Sequence, residues 1–392
     1  MKRLIGMLVV LFMVFLGVNA WADESELREL RNEVEQLRQR VEQMDLFGSK
    51  IKIGGTIAGA YQYENASESE GDDNFGRGAM PIQPEITIQP TESDEIFFKF
   101  GFAAGNALNI DKHRFVLSPW AADLEDDVKD INGRNRDYLL TAWYKHTFNI
   151  AKPDVKIGVT GGIIDATDYL DENNYANDEF TQFMNEAFVN APVAFLPSYD
   201  IGGAVELEVG NFAAKAVIMQ VGENDEGNGY QFYGLQLGYS IDTPFGEGNY
   251  RIIFDATSDD FSDPLGEDEE SLKSIVISFD QELGDILGVW VRCGWSDDEA
   301  SITFENFYSA GINISGKLWG REQDNIGIGY AYLDGGNQEI DETHVFESYI
   351  RFGLNDILAL TMDIQYMDDE YKEGAGEDVD GWIAGLRLTV EF

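Results

Sequence analysis

The chain has 392 residues, a formal net charge of −45, 12% aromatic residues and 41 glycines. So large an acidic excess argues against a nucleic-acid partner, because phosphate backbones bind basic surfaces. The aromatic content argues against a disordered chain, since it supplies the apolar surface that a packed fold requires. The single cysteine, Cys293, cannot form an internal disulfide, and its place in an apolar run predicts a small space-filling side chain.

Residues 1–22 have the order of a secretory signal peptide. Two basic residues precede an apolar run from Leu4 to Val18, and Ala20-Trp21-Ala22 follows as a small-residue cleavage site. The apolar run is shorter than the roughly 20 residues that a helix needs to cross a bilayer, so a retained anchor is the weaker alternative. We therefore expect export and cleavage after Ala22.

Residues 23–47 have a helical hydrophobic period. Their apolar positions follow a spacing of alternately three and four residues, which is typical of a coiled coil: Leu27, Leu30, Val34, Leu37, Val41 and Met44. A helix this short is marginal alone in water and needs partner helices, which predicts an oligomer, here a homotrimer. The alternative is an amphipathic helix that folds back on the body of the protein.

From residue 51 onward the hydrophobic period changes to two, the period of a β-strand. The last segment shows it most clearly, with apolar residues at every second position: Trp382, Ala384, Leu386, Leu388, Val390 and Phe392. Arg387 and Thr389 lie between them, so one face suits lipid and the other water. Soluble antiparallel sheets also alternate in this way. No later stretch is apolar enough for a membrane helix, so a membrane location requires a closed barrel.

Sixteen segments have the length and pattern of strands, an even number that is typical of bacterial outer-membrane barrels. The predicted strands are 51–64, 82–90, 95–103, 137–148, 154–165, 201–209, 213–221, 231–240, 249–257, 272–280, 287–295, 306–315, 323–333, 344–353, 358–367 and 380–392. The fold class is therefore all-β: a 16-stranded antiparallel transmembrane β-barrel over residues 48–392, preceded by a short N-terminal coiled-coil helix.

The predicted connections are alternately short and long. Short turns such as 91–94 and 210–212 alternate with long loops such as 104–136 and 166–200. In outer-membrane barrels the short turns are periplasmic, and an even strand count places both ends of the barrel there, together with the coil. A soluble double β-sandwich is the alternative, but it gives no reason for this alternation. The terminal Phe392 is also typical of outer-membrane barrels.

The sequence resembles the carbohydrate-selective porin family of the OprB type. The likeness is carried by Asp165-Ala166-Thr167-Asp168-Tyr169-Leu170-Asp171, by Asn174–Asp178, Thr181–Asn185 and Ala187-Phe188, and by Gly320–Gly327, Glu347–Arg351 and Met362–Tyr366. This resemblance implies a porin in the outer membrane of a Gram-negative bacterium, with membrane lipid around it and sugars as its solutes.

Porin selectivity arises at a constriction, and the third outer loop, residues 166–200, is the expected place for one. Its middle part, 178–190, has a helical pattern whose apolar face would contact the barrel wall: Phe180, Phe183, Met184 and Phe188. Four polar loop residues would then face the opening: Asp171, Asn173, Asn177 and Gln182. Sugar hydroxyls need both donors and acceptors, which these side chains offer together with nearby aromatic rings.

Charged and polar wall residues are expected to point inward, because an arginine facing lipid at the midplane costs about 2–4 kcal/mol. The residues so placed by the alternation are Arg251, Asp255, Arg292, Arg351, Asp363, Gln365 and Arg387. The predicted pore-lining set combines the four loop residues with Arg292, Arg321, Arg351, Asp363 and Gln365. For any one of these, lining water or pairing with a neighbour is the simpler interpretation.

Acidic runs occupy several long loops: 123–127, 259–263, 267–270 and 297–299. Such runs usually stay solvated, although divalent cations could bridge them, since hard cations prefer several oxygen ligands. No other cofactor is expected. An outer-membrane enzyme is a second hypothesis, but none of the histidines, His113, His146 and His344, lies in a serine-nucleophile motif. A general or non-sugar porin that also tethers the membrane through its coil is a third.

Overall fold

The computed structural model describes residues 50–67, 74–110, 113–129, 131–134, 136–151 and 154–392. The predicted signal peptide at 1–22 and the predicted coiled coil at 23–47 lie outside the described residues. Residues Ile53–Phe392 form one compact unit.

The fold is a single antiparallel sheet of sixteen strands. They are β1 (Ile51–Ala66), β2 (Phe75–Ile88), β3 (Asp94–Phe100, continued as Phe102–Ala104), β4 (Leu139–Ala151), β5 (Asp154–Ile164), β6 (Asp200–Val209), β7 (Phe212–Val221), β8 (Tyr230–Thr243), β9 (Gly246–Thr257), β10 (Lys273–Leu283), β11 (Leu287–Ser296), β12 (Phe304–Ser315), β13 (Asn325–Gly335), β14 (Ile340–Asn355), β15 (Leu358–Tyr371) and β16 (Val379–Glu391). A two-residue hairpin, Phe261–Ser262 with Glu269–Glu270, lies in the loop between β9 and β10.

The sheet closes on itself. Each strand pairs with its neighbours in the sequence, and β1 pairs with β16 in a register that runs from Thr56 opposite Glu391 to Ala66 opposite Gly381. The predicted all-β, 16-stranded antiparallel barrel is confirmed. Closure removes the unpaired strand edges that an open sheet would leave.

The two faces of the wall differ in chemistry, as the period of two requires. In β16, Trp382, Leu386 and Leu388 are each between 44% and 48% exposed, whereas Arg387 and Thr389 are at most 1% exposed. The outer face is thus apolar, and the inner face carries the polar groups. No helix in the described part of the chain is long and apolar enough to cross a membrane.

The connections define two ends of the barrel. At one end, which we call the short-connection end, turns such as 210–211 and 356–357 link the strands, and β1 begins and β16 ends there. At the other end, the long-connection end, lie loops such as 105–138 and 165–199. Two connections depart from the predicted alternation. The short-connection end includes 316–324, which contains a 3-10 turn at Gly316–Trp319, and the long-connection end includes the four-residue turn 336–339.

Candidate channel interior

The third long connection, residues 165–199, lies against the inner wall of the barrel. Its Phe183 and Phe188 rings pack edge-on against Trp290 of β11, at centroid distances of 5.6 and 5.9 Å, and Phe183 also packs against Tyr349 of β14 at 5.0 Å. Gly329 of β13 makes this approach possible, since a Cβ there would lie 3.0–3.1 Å from both phenylalanine rings. The predicted contact between the apolar side of this loop and the wall is confirmed.

The helical pattern predicted for 178–190 was mostly wrong. Only Glu186–Val189 forms an α-helix. Glu347 of β14 accepts hydrogen bonds from the backbone N–H groups of Met184, at 2.6 Å, and Asn185, at 2.9 Å. A wall side chain thus satisfies backbone donors that a continuous helix would have satisfied internally.

A fully buried ion pair holds the loop to β11. The Arg292 Nε donates to Asp171 Oδ1 at 2.9 Å, and both side chains are 0% exposed. The same guanidinium donates to the carbonyls of Phe188 and Asp171, at 2.9 and 3.0 Å, and to Asn177 Oδ1 at 3.2 Å. Burial raises the pKa of the Asp171 carboxyl, and the adjacent Arg292 opposes that rise. Arg292 is therefore an anchor of the loop.

A second anchor lies on β16. Arg387 donates to the carbonyls of Glu179 and Gln182, at 2.6 and 2.8 Å, and Thr389 donates to the carbonyl of Phe180 at 2.9 Å. On β15, Gln365 accepts from the Asn185 amide at 3.0 Å. The loop is therefore bound to strands that are far apart in the sheet order.

The second long connection, residues 105–138, packs with the third. Its Trp120 indole donates to the carbonyl of Glu179 at 3.0 Å, and the Ser118 N–H donates to Glu186 at 3.0 Å. Gln62 of β1 and Gln365 of β15 both donate to the Pro119 carbonyl, at 2.8 and 2.9 Å. Sequence reasoning missed this partnership, because nothing in the local pattern of 105–138 indicates a buried loop.

The opposite wall, β3 to β7, carries charged groups that the sequence reasoning also missed. Lys99 of β3 interacts electrostatically with four loop carboxylates: Asp123, Asp165, Asp168 and Glu179. Two ion pairs continue along this wall, Lys145 with Glu206 and, at 2.6 Å, Lys215 with Glu172 of the third connection. The alternation of β3 places Lys99 opposite its apolar neighbours, which is the one signal in the sequence that could have identified it.

The loop carboxylates around Lys99 have raised pKa values. Burial raises the pKa of Asp165 to about 7 and that of Glu179 to about 8, and in both cases Lys99 opposes the rise. Burial also raises the pKa of Asp123, which accepts a hydrogen bond from Gln83 at 2.9 Å. The charge of this region therefore changes near neutral pH.

Polar cavities lie on both sides of the third connection. One, of about 730 Å³, is lined by residues of the two long connections, among them Asp123, Asp127, Thr167, Asn190 and Tyr199. Another, of about 360 Å³, lies between the third connection and wall residues near the short-connection end, and it includes Gln182 and Arg351.

The predicted site residues therefore fall into four groups. Asp171, Asn173 and Asn177 bind the wall: Asn173 donates to Ser278 at 3.3 Å, and the other two meet Arg292. Asp171 and Asn173 are buried and therefore do not face an opening, whereas Asn177 is half-buried. Asp363 and Gln365 are buried on the inner wall and joined by a 2.9 Å hydrogen bond.

Gln182 and Arg351 line a cavity, whereas Arg321 lies within the connection 316–324. Arg321 forms a 2.6 Å ion pair with Asp324 and donates to the Gly353 carbonyl at 3.0 Å, and its side chain is 54% exposed. Its contacts tie a turn to β14. The remaining predicted inward residues also have wall partners: Arg251 pairs with Asp280 at 2.7 Å, and Asp255 accepts from Ser274 at 3.3 Å.

The acidic runs stand apart from this interior site. Among the residues that the structure describes, no group of three or more His, Cys, Asp or Glu side chains is placed to hold a metal ion. The bridging of these runs by divalent cations stays a prediction.

Comparison with known proteins identifies the family. Residues 122–392 match the carbohydrate-selective porin, OprB family. An uncharacterized protein of Aquifex aeolicus (strain VF5) is 32% identical over 302 residues, which is 76% of this chain and 84% of that protein.

Two solved structures share the fold at low identity. The high-pH structure of Pseudomonas putida OprB superposes with a TM-score of 0.69 at 15% identity, over 90% of this chain and 96% of that one. The outer membrane channel DcaP of Acinetobacter baumannii superposes with a TM-score of 0.53 at 8% identity, over 87% and 97%. With a family match that spans most of the barrel, the chain belongs to the OprB family of carbohydrate-selective porins and is an outer-membrane channel protein rather than an enzyme.

Proposed function

We propose that the chain is a passive channel for small polar solutes, chiefly neutral sugars, and that residues 165–199 form its constriction. The observation that carries the proposal is the anchoring of this loop inside the barrel. Arg292 and Arg387 bind it to β11 and β16, while its carboxylates Asp165, Asp168 and Glu179 interact with Lys99 on the opposite side of the barrel. Solutes would pass along the β3–β7 wall beside the anchored loop, past Lys99 and the Lys215–Glu172 ion pair that joins this wall to the loop.

The chemistry of that passage suits neutral hydroxylated solutes. Sugar hydroxyls both donate and accept, and a carboxylate beside an ammonium group offers both functions within reach of one molecule. Four carboxylates interact with Lys99, so above about pH 8, where Asp165 and Glu179 are ionised, an anion of the same size meets a repulsive field. We therefore expect neutral sugars to pass faster than sugar acids.

The orientation follows from the barrel itself. In outer-membrane barrels the long loops face outside and the short turns face the periplasm. The long-connection end, with the 730 Å³ cavity, would then be the entrance for solutes. Export through the N-terminal signal peptide and assembly as a homotrimer belong to the same proposal.

Swelling of liposomes that contain the purified full-length chain tests the solute preference. At pH 9 and equal osmolarity, we expect swelling with D-glucose to be faster than swelling with sodium D-glucuronate, because the two solutes are similar in size and differ in charge. Lys99→Gln should widen the difference. Equal rates for the two solutes, or a faster glucuronate rate, would remove the sugar preference and leave a general pore.

A further inference from the structure

A polar chamber lies between the third connection and the short-connection end of the barrel. Four inward wall residues line it, namely Asn313 of β12, Asn325 of β13, Arg351 of β14 and Glu391 of β16, and the loop contributes Asn174, Tyr175 and Gln182. Its volume is about 360 Å³, and the same four wall residues also line a second cavity of about 360 Å³ toward the short turns. The two cavities therefore share one polar wall.

We propose that this chamber is a binding station for one neutral sugar ring on the periplasmic side of the constriction. The inference rests on the proposed function and goes further, since it assigns a discrete site where a diffusion channel requires none.

Two hydrogen-bond acceptors of the chamber are held in place before a solute binds. The amide groups of Asn313 and Asn325 both donate to the Tyr349 hydroxyl, at 3.4 and 2.9 Å, and Tyr349 is buried at 1% exposure. Because both amide nitrogens are directed at one buried hydroxyl, the side-chain carbonyl oxygens remain as acceptors for a solute. Two acceptors on adjacent strands match two hydroxyl donors on one sugar ring.

A donor lies directly beside an acceptor on the same wall. Arg351 Nη2 donates to Glu391 Oε2 at 2.8 Å, with side chains 19% and 48% exposed. A guanidinium has five N–H donors, so this bond leaves others for a hydroxyl oxygen, while Glu391 can accept from the neighbouring hydroxyl. The pair is electrically balanced, which favours a neutral ligand over an anion or a cation.

The loop supplies an aromatic surface and a rigid amide. The Tyr175 ring lies directly against Gly288 of β11, where a Cβ would come within 2.1 Å of it. Gln182 donates to the Asn174 carbonyl at 2.9 Å and accepts from the Asn177 N–H at 2.8 Å. Aromatic faces contact the apolar face of a pyranose, and groups already held in place lose little entropy on binding.

Block of the ion current by maltotriose in planar bilayers tests the station with the full-length channel. We expect the parent to show a saturable block. Arg351→Gln and Glu391→Gln should each raise the half-blocking concentration roughly fivefold, as the loss of one net hydrogen bond implies. Lys156→Gln is the matched control. It breaks a 3.1 Å ion pair with Glu208, also next to short turns but outside the chamber, and should leave the block unchanged.

The outcomes separate the station from the channel. Saturable block with the same half-blocking concentration in parent and variants would overturn the station. Glucose swelling without any saturable block would also overturn it and leave the proposed function intact, whereas failure of glucose to enter liposomes would overturn the proposed function itself. If Arg351→Gln does not insert as a conducting channel, Glu391→Gln and Tyr175→Leu provide the same comparison.

Discussion

Replacing Arg292 with leucine should release the third connection from the wall. The substitution removes all four hydrogen bonds of the guanidinium and leaves the Asp171 carboxylate buried without its cation. Removing one partner of a buried ion pair typically costs about 3–5 kcal/mol. Asp171 keeps a 2.7 Å bond from the Ala191 N–H, so we expect about 3 kcal/mol, which shifts the balance between docked and released loop roughly a hundredfold.

Single-channel recording is the assay for this release. A loop that leaves the wall should make the open-channel current noisier and change its mean conductance. The double variant Asp171→Leu with Arg292→Leu removes both charges, and we expect it to recover part of the parent behaviour, because an apolar pair leaves no buried charge unpaired. Lys156→Leu is the control, since it breaks a 3.1 Å ion pair with Glu208 that joins the wall strands β5 and β6.

The reasoning fails if Arg292→Leu inserts, folds and conducts with the parent's conductance and noise. It also fails if Lys156→Leu produces the same disturbance, because the effect would then come from the wall in general and not from the loop anchor. The transition of the barrel on heating in detergent, followed by gel mobility, shows whether each variant is folded.

Further outcomes follow from other parts of the same structure. Lys99→Gln removes a positive charge and should raise the permeability ratio of K⁺ to Cl⁻, measured as the reversal potential in a salt gradient. An unchanged reversal potential would place Lys99 outside the ion path. Asp165 and Glu179 have pKa values raised to about 7 and about 8, so both are neutral in acid and become negatively charged as the pH rises. The preference for K⁺ over Cl⁻ should therefore increase between pH 6 and 9. A preference that does not change with pH would contradict the exposure of these two carboxylates to the ion path. Phe188→Ala, at a fully buried position, should weaken loop docking by about 3–5 kcal/mol and make residues 165–199 cleavable by protease; full protection would argue against packing as the anchor. Deleting residues 25–46 should lower the oligomer mass measured in detergent from trimer to monomer, and an unchanged mass would remove the coil from assembly.

The barrel was predictable from the sequence because its wall obeys one local rule. Inward and outward residues alternate in every strand, so the pattern within a run such as 380–392 is enough to identify it as a strand. The predicted ends of most strands fall within three residues of the observed ones. The start of β2 is an exception, since Phe75–Pro81 is strand although Gly76 and Gly78 interrupt its apolar pattern. A Cβ at Gly76 would lie 2.3 Å from the Tyr61 hydroxyl, so close packing selects glycine there.

The interior was harder to predict, because its contacts join residues distant in sequence. Arg292 was correctly expected to face inward, but its partner Asp171 lies 121 positions away and the spacing gives no sign of the pairing. The sequence also places Asn173 beside an opening, whereas it contacts the buried Ser278. The local pattern of a polar loop residue is the same in both cases, because it does not depend on whether the side chain contacts solvent or a buried serine. Lys99 was missed because its partners lie on two loops that meet only in the folded barrel.

The ion conductance of the purified full-length chain in a planar bilayer is the most direct test of an open passage beside the anchored loop. We expect stable, stepwise current increments as single channels insert, with a preference for K⁺ over Cl⁻ because of the carboxylates around Lys99. Insertion of folded barrels without any current would contradict the open passage.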